Sequence, residues 1–166
     1  DILTENPEVW KKTIFIITYD ENDGYFDHCC SYVAPDPKRP ETGRSSESIG
    51  PDGLEYTTAK DEIDLGVPAH LARSGPIGLG FRVPMIVASP WSRGGWVNSQ
   101  LFEHTSTLRF LEAFVEEKFG KTVKETNISS WRRAISGDLT SCFRSYDGSI
   151  PTLPYLNRDA HLHMIE

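Results

Sequence analysis

Residues 11–28 read KKTIFIITYDENDGYFDH, an apolar run followed at once by an acidic segment. The run at residues 13–18 is rich in β-branched and aromatic side chains, with lysines before it and acidic residues after it. A short, continuous apolar run of this kind predicts a strand that is buried on both faces, as in a parallel sheet. The acidic segment would then begin where a buried strand ends, which is where ligands bind in open α/β sheets.

Three further elements are indicated around this strand. Residues 6–10 open with Asn-Pro, which predicts a short helix leading into the strand. Residues 83–88 are a second strand candidate, flanked by prolines that place it near a sheet edge or close its ends. A short helix is predicted within residues 128–135, where apolar side chains recur at helical spacing.

The clearest helix is predicted over residues 105–119, with Thr105 or Ser106 as its N-cap. Gly120 follows directly and is a natural residue for the end of a helix. Helical spacing gives this segment one apolar face, formed by Leu108, Leu111, Phe114, Val115 and Phe119.

The length and composition fit one acidic globular domain. The chain has 166 residues and a net charge of −7, so general binding to the phosphate backbone of nucleic acids is disfavoured. No apolar run approaches the roughly 20 residues of a membrane span. The order of elements predicts an α/β fold, but two clear strands are too few for a complete sheet. Because the chain opens on Asp1, we expect a processed chain or a piece of a longer polypeptide.

Residues 34–53 form a long segment rich in Pro, Gly, Ser and charge. Connections of this length without regular structure are uncommon in compact domains and are often functional. The sequence leaves two alternatives open, a mobile segment or one that is held by packing elsewhere.

The acidic segment carries the residues with the clearest chemistry. Asp20 and Glu21 are adjacent carboxylates, which repel each other unless a cation or positive groups lie near them. Oxygen-rich clusters of this type suit hard divalent cations, and His28 could add a nitrogen ligand or a supporting hydrogen bond. An EF-hand does not fit, since Tyr25 stands where its loop needs glycine. The alternative is a solvated loop whose Asp and Asn side chains bond to their own backbone.

Other candidate residues lie outside this segment. His104 precedes the long helix, where it either faces a site or is incidental to the helix start. Cys29, Cys30 and Cys142 are an odd number, so they cannot form a closed disulfide framework. The sequence allows a bridge from Cys142 to either Cys29 or Cys30, or three free thiols.

Three blocks of the chain resemble one family, in the same order. The stretch TIFIITYDENDGYFDH at residues 13–28 is similar to the signature of the bacterial phosphocholine-preferring phospholipases C. Two later blocks resemble the same proteins, GPIGLGFRVPMIVASPWSRGGWVNSQLFEHTSTLRFLE at residues 75–112 and ETNISSWRRAISGDLTSCF at residues 125–143. On the resemblance of these three blocks, the chain is identified as a member of that family.

The resemblance implies a partial alkaline-phosphatase-like α/β sandwich. It also implies hydrolysis of a phosphodiester such as phosphatidylcholine or sphingomyelin through a Ser or Thr phospho-enzyme, with a divalent metal ion of unknown identity as cofactor. By position, Asp20 and Glu21 match the paired acidic metal ligands of the family. The residues expected to shape the loop around these ligands are Asp23, Asp27, His28 and His104.

The same resemblance implies the organisation of a longer protein. Residues 1–148 would be the C-terminal part of a catalytic domain, and residues 149–166 a linker or tail. The nucleophile would lie in an upstream part of the same polypeptide, so the chain alone is expected to be inactive. The implied partners are a phosphocholine ester and, peripherally, a membrane surface, but no nucleic acid. The implied location is secreted or periplasmic.

Two alternatives stay open. An acid phosphatase-type phosphomonoesterase belongs to the wider group, but those relatives carry Asp-Asp where this chain has Asp20-Glu21. A non-catalytic module that retains the fold is the second alternative.

Overall fold

The computed structural model describes residues 2–49 and 53–148, and these residues form an α/β arrangement with small antiparallel sheets. The helices are α1 (Pro7–Trp10), α2 (Ala59–Asp64), α3 (His104–Phe119) and α4 (Ser130–Ile135). The strands are β1 (Phe15–Thr18), β2 (Tyr56–Thr57), β3 (Gly75–Pro76) and β4 (Met85–Ala88). The α/β class predicted from the sequence is therefore confirmed at this level.

Two further expectations concern the C-terminal residues and membrane spans. The linker or tail predicted for residues 149–166 lies outside the described residues. Across the two described ranges, every helix is too short or too polar to cross a membrane.

Strand β1 pairs with β4, and the two strands run antiparallel. Their register sets Ile17 opposite Ile86, and directly opposed residues of a ladder lie on the same face of the sheet. These side chains are 49% and 61% exposed, so the prediction of a parallel strand buried on both faces is wrong. An apolar run shows only that a strand has two apolar faces. It contains neither the direction of the partner strand nor what covers each face.

Helix α1 confirms the short helix predicted at residues 6–10. The side-chain oxygen of Asn6 accepts hydrogen bonds from the backbone N–H groups of Glu8 and Val9, at 3.1 and 3.3 Å. Pro7 occupies the first helical position, where its missing N–H would have had no partner in any case. The start of this helix is therefore determined by two neighbouring residues, the N-cap Asn6 and Pro7.

Helix α3 begins one residue earlier than predicted, and its N-cap is Glu103 rather than Thr105 or Ser106. The Glu103 carboxylate accepts a hydrogen bond from the Thr105 N–H at 3.0 Å, and the Glu103 N–H donates to Ser106 Oγ at 3.0 Å. This reciprocal pair is a capping box in which acid and hydroxyl have exchanged places. The end of the helix is as predicted, because Gly120 adopts the left-handed conformation with φ 62°.

The apolar face of α3 is only partly covered by the described part of the chain. Leu108, Leu111 and Phe114 are 47%, 51% and 41% exposed, although their spacing is that of a core-facing stripe. The buried apolar side chains are Ala34, Ala72, Ile128, Trp131 and Leu139. Three of these five lie in or beside α4, so the described core is centred there and not on α3.

The described part of the long irregular segment, residues 34–49, is held by packing. Trp131 Nε1 donates a hydrogen bond to Ser45 Oγ at 3.0 Å, which joins the segment to α4. Gly43 has a φ of 88°, and a Cβ placed there would lie 2.7 Å from the Val33 carbonyl oxygen. Only glycine fits where the segment folds back so closely on its own start.

A bidentate ion pair joins α3 to α4. Nη1 and Nη2 of Arg133 donate to the two carboxylate oxygens of Glu112, each at 2.8 Å. The Glu125 N–H also donates to this carboxylate, at 2.6 Å. The hydrogen bonds from Arg133 lower the pKa of Glu112, and burial raises it by a smaller amount. The net result is a pKa that falls from 4.5 to about 2. The ionised form of Glu112 therefore stabilises the contact between the two helices.

We expect this stabilisation to disappear in acid. Because the pKa of Glu112 is about 2 in the folded chain and near 4.5 in the unfolded chain, its contribution is complete above about pH 4.5 and declines as the pH falls toward 2. Glu112→Gln should lower the free energy of unfolding clearly at about pH 7 and much less at about pH 2.5. Urea unfolding of both proteins at the two pH values measures this. Glu117→Gln, at an exposed position of the same helix, is the control, and a loss for Glu112→Gln that is equal at both pH values would contradict the prediction.

Candidate functional site

The acidic segment leaves the sheet where β1 ends. Backbone pairing continues for one more residue, since the Tyr19 N–H donates to a carbonyl just before β4 at 3.1 Å. A tight turn follows, in which the Tyr25 N–H donates to the Asn22 carbonyl at 2.9 Å. The two central residues, Asp23 and Gly24, have φ angles of 49° and 78°. Positive φ at both positions is the pattern of a type I′ turn, for which Asp-Gly is a preferred pair.

This turn holds the predicted acidic residues in contact with solvent. Asp20, Glu21 and Asp23 are exposed, and Asp27 is half-buried. Asp20 and Glu21 are neighbours in the chain, and two such carboxylates attract a cation because it relieves their mutual repulsion. The structure therefore presents the predicted ligands at the end of a strand, although this strand is not a buried one.

The acidic segment supplies only some of the donors that a divalent metal ion requires. Within residues 2–49 and 53–148, no three His, Cys, Asp or Glu side chains converge as a metal site. Hard divalent cations take oxygen ligands, usually six or more in total, from carboxylates, carbonyl groups and water. Asp20 and Glu21 thus fit as part of a coordination shell, and the described residues do not complete it.

The start of α3 lies against the start of the acidic segment. His104 is the first residue of this helix, and its Nε2 lies 3.1 Å from the carbonyl oxygen of Tyr19, the residue before Asp20. This contact joins positions that are 85 residues apart in sequence. His28 is exposed, at the far end of the acidic segment. Of the two predicted histidines, His104 is therefore the one that braces the backbone beside Asp20.

A buried network of charged side chains includes Glu103, the N-cap of α3. Glu55 is 2% exposed, and its Oε1 accepts hydrogen bonds from Arg132 Nε at 2.7 Å and from Ser129 Oγ at 2.6 Å. Arg132 also donates through Nη1 to Glu103 at 3.2 Å and through Nη2 to the Gly78 carbonyl at 2.9 Å. The guanidinium group thus ties α4 to the cap of α3 and to the segments around β2 and β3.

Sequence reasoning missed this network. The partners Glu103 and Glu55 lie 29 and 77 residues from Arg132, and no local pattern marks pairs so distant. The network is relevant to the site because Glu103 fixes the first turn of α3, which carries His104.

Two aromatic rings meet near the end of the acidic segment. Phe26 follows the turn and Phe81 lies before β4, with ring centroids 5.1 Å apart and ring planes at 82°. Beside them, Asp27 Oδ1 lies 4.0 Å from Arg82 Nε, which is a loose ion pair at the surface.

The cysteines Cys29, Cys30 and Cys142 are free thiols, so neither bridge that the sequence allows is formed. Cys29 and Cys30 are exposed directly after His28, whereas Cys142 is half-buried. Burial raises the pKa of Cys142, against a smaller lowering by its hydrogen bond from Asn98.

Two surface cavities lie away from the turn. One has a volume of about 360 Å³ and includes Tyr32, Arg44 and Leu101 in its lining. The other has a volume of about 540 Å³ and lies against residues 124–134. The acidic residues line neither of these two cavities, and Asp20, Glu21 and Asp23 are exposed.

Comparison with known proteins gives consistent matches over nearly the whole chain. The chain is 48% identical over 154 residues to the non-hemolytic phospholipase C of Burkholderia pseudomallei, which covers 92% of this chain and 20% of that protein. It is 49% identical over 144 residues to the non-hemolytic phospholipase C of Pseudomonas aeruginosa, with coverages of 86% and 18%. Phospholipase C B of Mycobacterium tuberculosis is 42% identical over 156 residues, with coverages of 94% and 26%. The chain therefore spans about a fifth to a quarter of the length of these relatives.

No solved structure matches the chain. A family model, described as that of the Phosphoesterase family, matches residues 1–116. The matched region contains the acidic turn, strand β4 and the start of α3 with His104. Since this region is well over half of the sequence, the chain belongs to the Phosphoesterase family.

Proposed function

We propose that this chain is part of the catalytic domain of a phospholipase C-type phosphodiesterase that cleaves phosphocholine esters. Residues 1–148 are the C-terminal part of that domain, and residues 149–166 are a linker or tail. The domain has an alkaline-phosphatase-like sandwich, to which upstream residues of the same polypeptide contribute the remaining strands. The proposal is supported by family membership and by relatives named phospholipase C that match most of the chain.

The observation that carries the proposal is the placement of the acidic turn. Asp20 and Glu21 bind a divalent metal ion, and His104 holds the backbone beside them through its contact with the Tyr19 carbonyl at 3.1 Å. When bound there, such an ion would supply neutralisation of charge on the phosphoryl oxygens and a lowered pKa for a hydroxyl nucleophile. The left-handed residue Asp23 turns the chain back after the ligands.

Asp27 and His28 are assigned to the loop around the ligands. Asp27 pairs loosely with Arg82, and His28 stands at the surface after it. The Ser or Thr nucleophile and the other metal ligands belong to the upstream part of the polypeptide. For this reason we expect no turnover from the 166-residue chain alone.

An open turn suits a substrate that is presented by a membrane. A phosphocholine lipid keeps its head group at the bilayer surface, so the enzyme must bring an exposed site to that surface. The turn is such a site, and apolar aromatic residues stand beside it. The proposed location, secreted or periplasmic, rests on the family resemblance and not on the turn.

A chimera tests the function directly. In it, this chain replaces the matching 154 residues of the Burkholderia pseudomallei non-hemolytic phospholipase C. We expect the chimera to hydrolyse p-nitrophenyl phosphorylcholine faster than p-nitrophenyl phosphate. Asp20→Asn and Glu21→Gln should each lower kcat by about 100-fold or more, because loss of a ligand exceeds the 10- to 100-fold effect of losing a residue that supports a ligand. The bound divalent metal is measured in parallel by elemental analysis, and it should fall in both variants.

The control is Asp64→Asn, which changes an exposed carboxylate of α2 that pairs with Lys60. This variant should keep both the rate and the metal content. A chimera that prefers the monoester would favour the phosphomonoesterase instead, and full activity in Asp20→Asn would remove Asp20 from the metal site.

A further inference from the structure

Phe26 and Phe81 meet at a right angle on the surface. Their centroids are 5.1 Å apart and their planes are inclined at 82°, yet the two side chains are 70% and 52% exposed. Aromatic pairs stabilise a fold mainly through the large area that they remove from water. Within the described part of the chain, more than half of each of the two residues is in contact with solvent, so both rings are accessible to a ligand.

The two segments that carry the rings are fixed to each other. The Leu79 N–H donates to the Tyr32 carbonyl at 2.8 Å, and Ser31 Oγ donates to the Gly80 carbonyl at 2.6 Å. Gly78 permits this approach, because a Cβ there would lie 2.9 Å from the Tyr32 carbonyl oxygen. These bonds hold residues 31–32 against residues 79–80, next to Phe81, so part of the ordering around the right-angled ring pair, here called the corner, is present without a ligand.

The charge beside the corner is negative. Asp27 follows Phe26 in the chain, and its nearest cationic partner, Arg82, lies 4.0 Å away with its side chain 53% exposed. The exposed carboxylates of the acidic turn adjoin the same segment. The face of an aromatic ring attracts cations, and quaternary ammonium groups are commonly bound between such rings. Two rings at a right angle with a carboxylate beside them have the chemistry of an organic cation site.

We propose that Phe26, Phe81 and Asp27 bind a quaternary ammonium group. This inference rests on the proposed function and deepens it, since it assigns residues to the cationic end of a phosphocholine ester. The two rings contact the methyl groups of the ammonium, and Asp27 balances its charge. Arg82, displaced from its loose pair, is free to turn toward the phosphate end of the same ligand.

Choline chloride is the probe, titrated into the ¹⁵N-labelled 166-residue chain and followed by amide chemical shifts. We expect saturable shifts around residues 25–28 and 79–82. Phe26→Leu and Phe81→Leu keep apolar side chains but remove the rings, so each should weaken choline binding about two- to fivefold. Asp27→Asn should weaken it by a similar factor. The uncharged isostere 3,3-dimethyl-1-butanol should bind more weakly than choline by at least the same factor.

The control uses a second pair of rings in the same chain. Phe114 and Phe119 also meet edge to face, with centroids 6.4 Å apart, but Lys118 already lies over both rings. Phe119→Leu should leave choline binding unchanged. The proposal is overturned if the uncharged isostere binds as well as choline, if both ring variants bind like the wild type, or if choline gives no saturable shift.

These outcomes are separable from those of the hydrolysis experiment. An active chimera with no choline response at the corner would remove the ammonium site and leave the phosphodiesterase standing. Choline binding at the corner, with a chimera that does not hydrolyse the ester, would support the ammonium site and contradict the phosphodiesterase.

Discussion

Arg132→Met is expected to lower the free energy of unfolding by about 3–5 kcal/mol, the usual cost of removing one partner of a buried ion pair. Glu55 is 2% exposed, and Arg132 is its cationic partner at 2.7 Å. Without the guanidinium group, the Glu55 charge stays buried, and among the described residues Ser129 Oγ is the donor that remains at a comparable distance. Glu103 loses its contact with Arg132 as well, so the cap of α3 is weakened in the same variant.

Urea unfolding at neutral pH measures the loss, with Lys60→Met as the control for removing a cation. Lys60 pairs with Asp64 at the surface of α2, where removal should change little. The double variant Arg132→Met with Glu55→Gln removes the stranded charge and should recover part of the stability. A loss of less than about 1 kcal/mol for Arg132→Met would mean that Glu55 finds another partner.

Trp131→Ala is expected to have an effect of similar size, about 3–5 kcal/mol, as is usual for truncating a buried Trp. Trp131 is 1% exposed and is the largest of the fully buried side chains. Its indole N–H also donates to Ser45 Oγ at 3.0 Å, so the truncation both opens a cavity in the core and releases residues 34–49 from α4. Since natural domains are stable by only about 5–15 kcal/mol, this variant should be close to unfolding.

Trp131→Phe separates the two effects. It keeps a ring in the core but removes the bond to Ser45, and we expect a loss of roughly 1–2 kcal/mol. Trp96→Ala is the control, since Trp96 is 62% exposed and its removal should cost less than about 1 kcal/mol. Thermal and urea unfolding of the three variants give the comparison. Equal losses for Trp131→Ala and Trp96→Ala would show that the core is not centred on α4.

The elements that could be predicted from the sequence are those with local causes. Asn6 and Pro7 determine the start of α1, and Gly120 determines the end of α3, because each acts on backbone groups within one turn of itself. The acidic turn belongs to the same class, since Asp23-Gly24 suits the positive φ angles of its two central positions. The resemblance to a phospholipase C family was likewise carried by contiguous stretches, and family membership confirmed its phosphoesterase part.

What could not be predicted depends on distant partners. The direction of β4 against β1 and the exposure of Ile17 and Ile86 depend on what packs against the strands, and a short apolar run does not specify that. The approach of His104 to Tyr19 spans 85 residues. The buried Glu55–Arg132 pair spans 77 residues and looks, in the sequence, like ordinary surface charge.

The free thiols described beside the acidic segment give the chain a chemical handle. Cys29 and Cys30 are exposed, whereas burial raises the pKa of Cys142 and leaves less of its reactive thiolate at neutral pH. A maleimide fluorophore added in limiting amount therefore attaches next to His28 and not near α4. The dye would stand at the end of the segment that contains Asp20, Glu21 and Phe26. Its emission would then test the proposed cation and ammonium binding in a single sample, without any engineered cysteine.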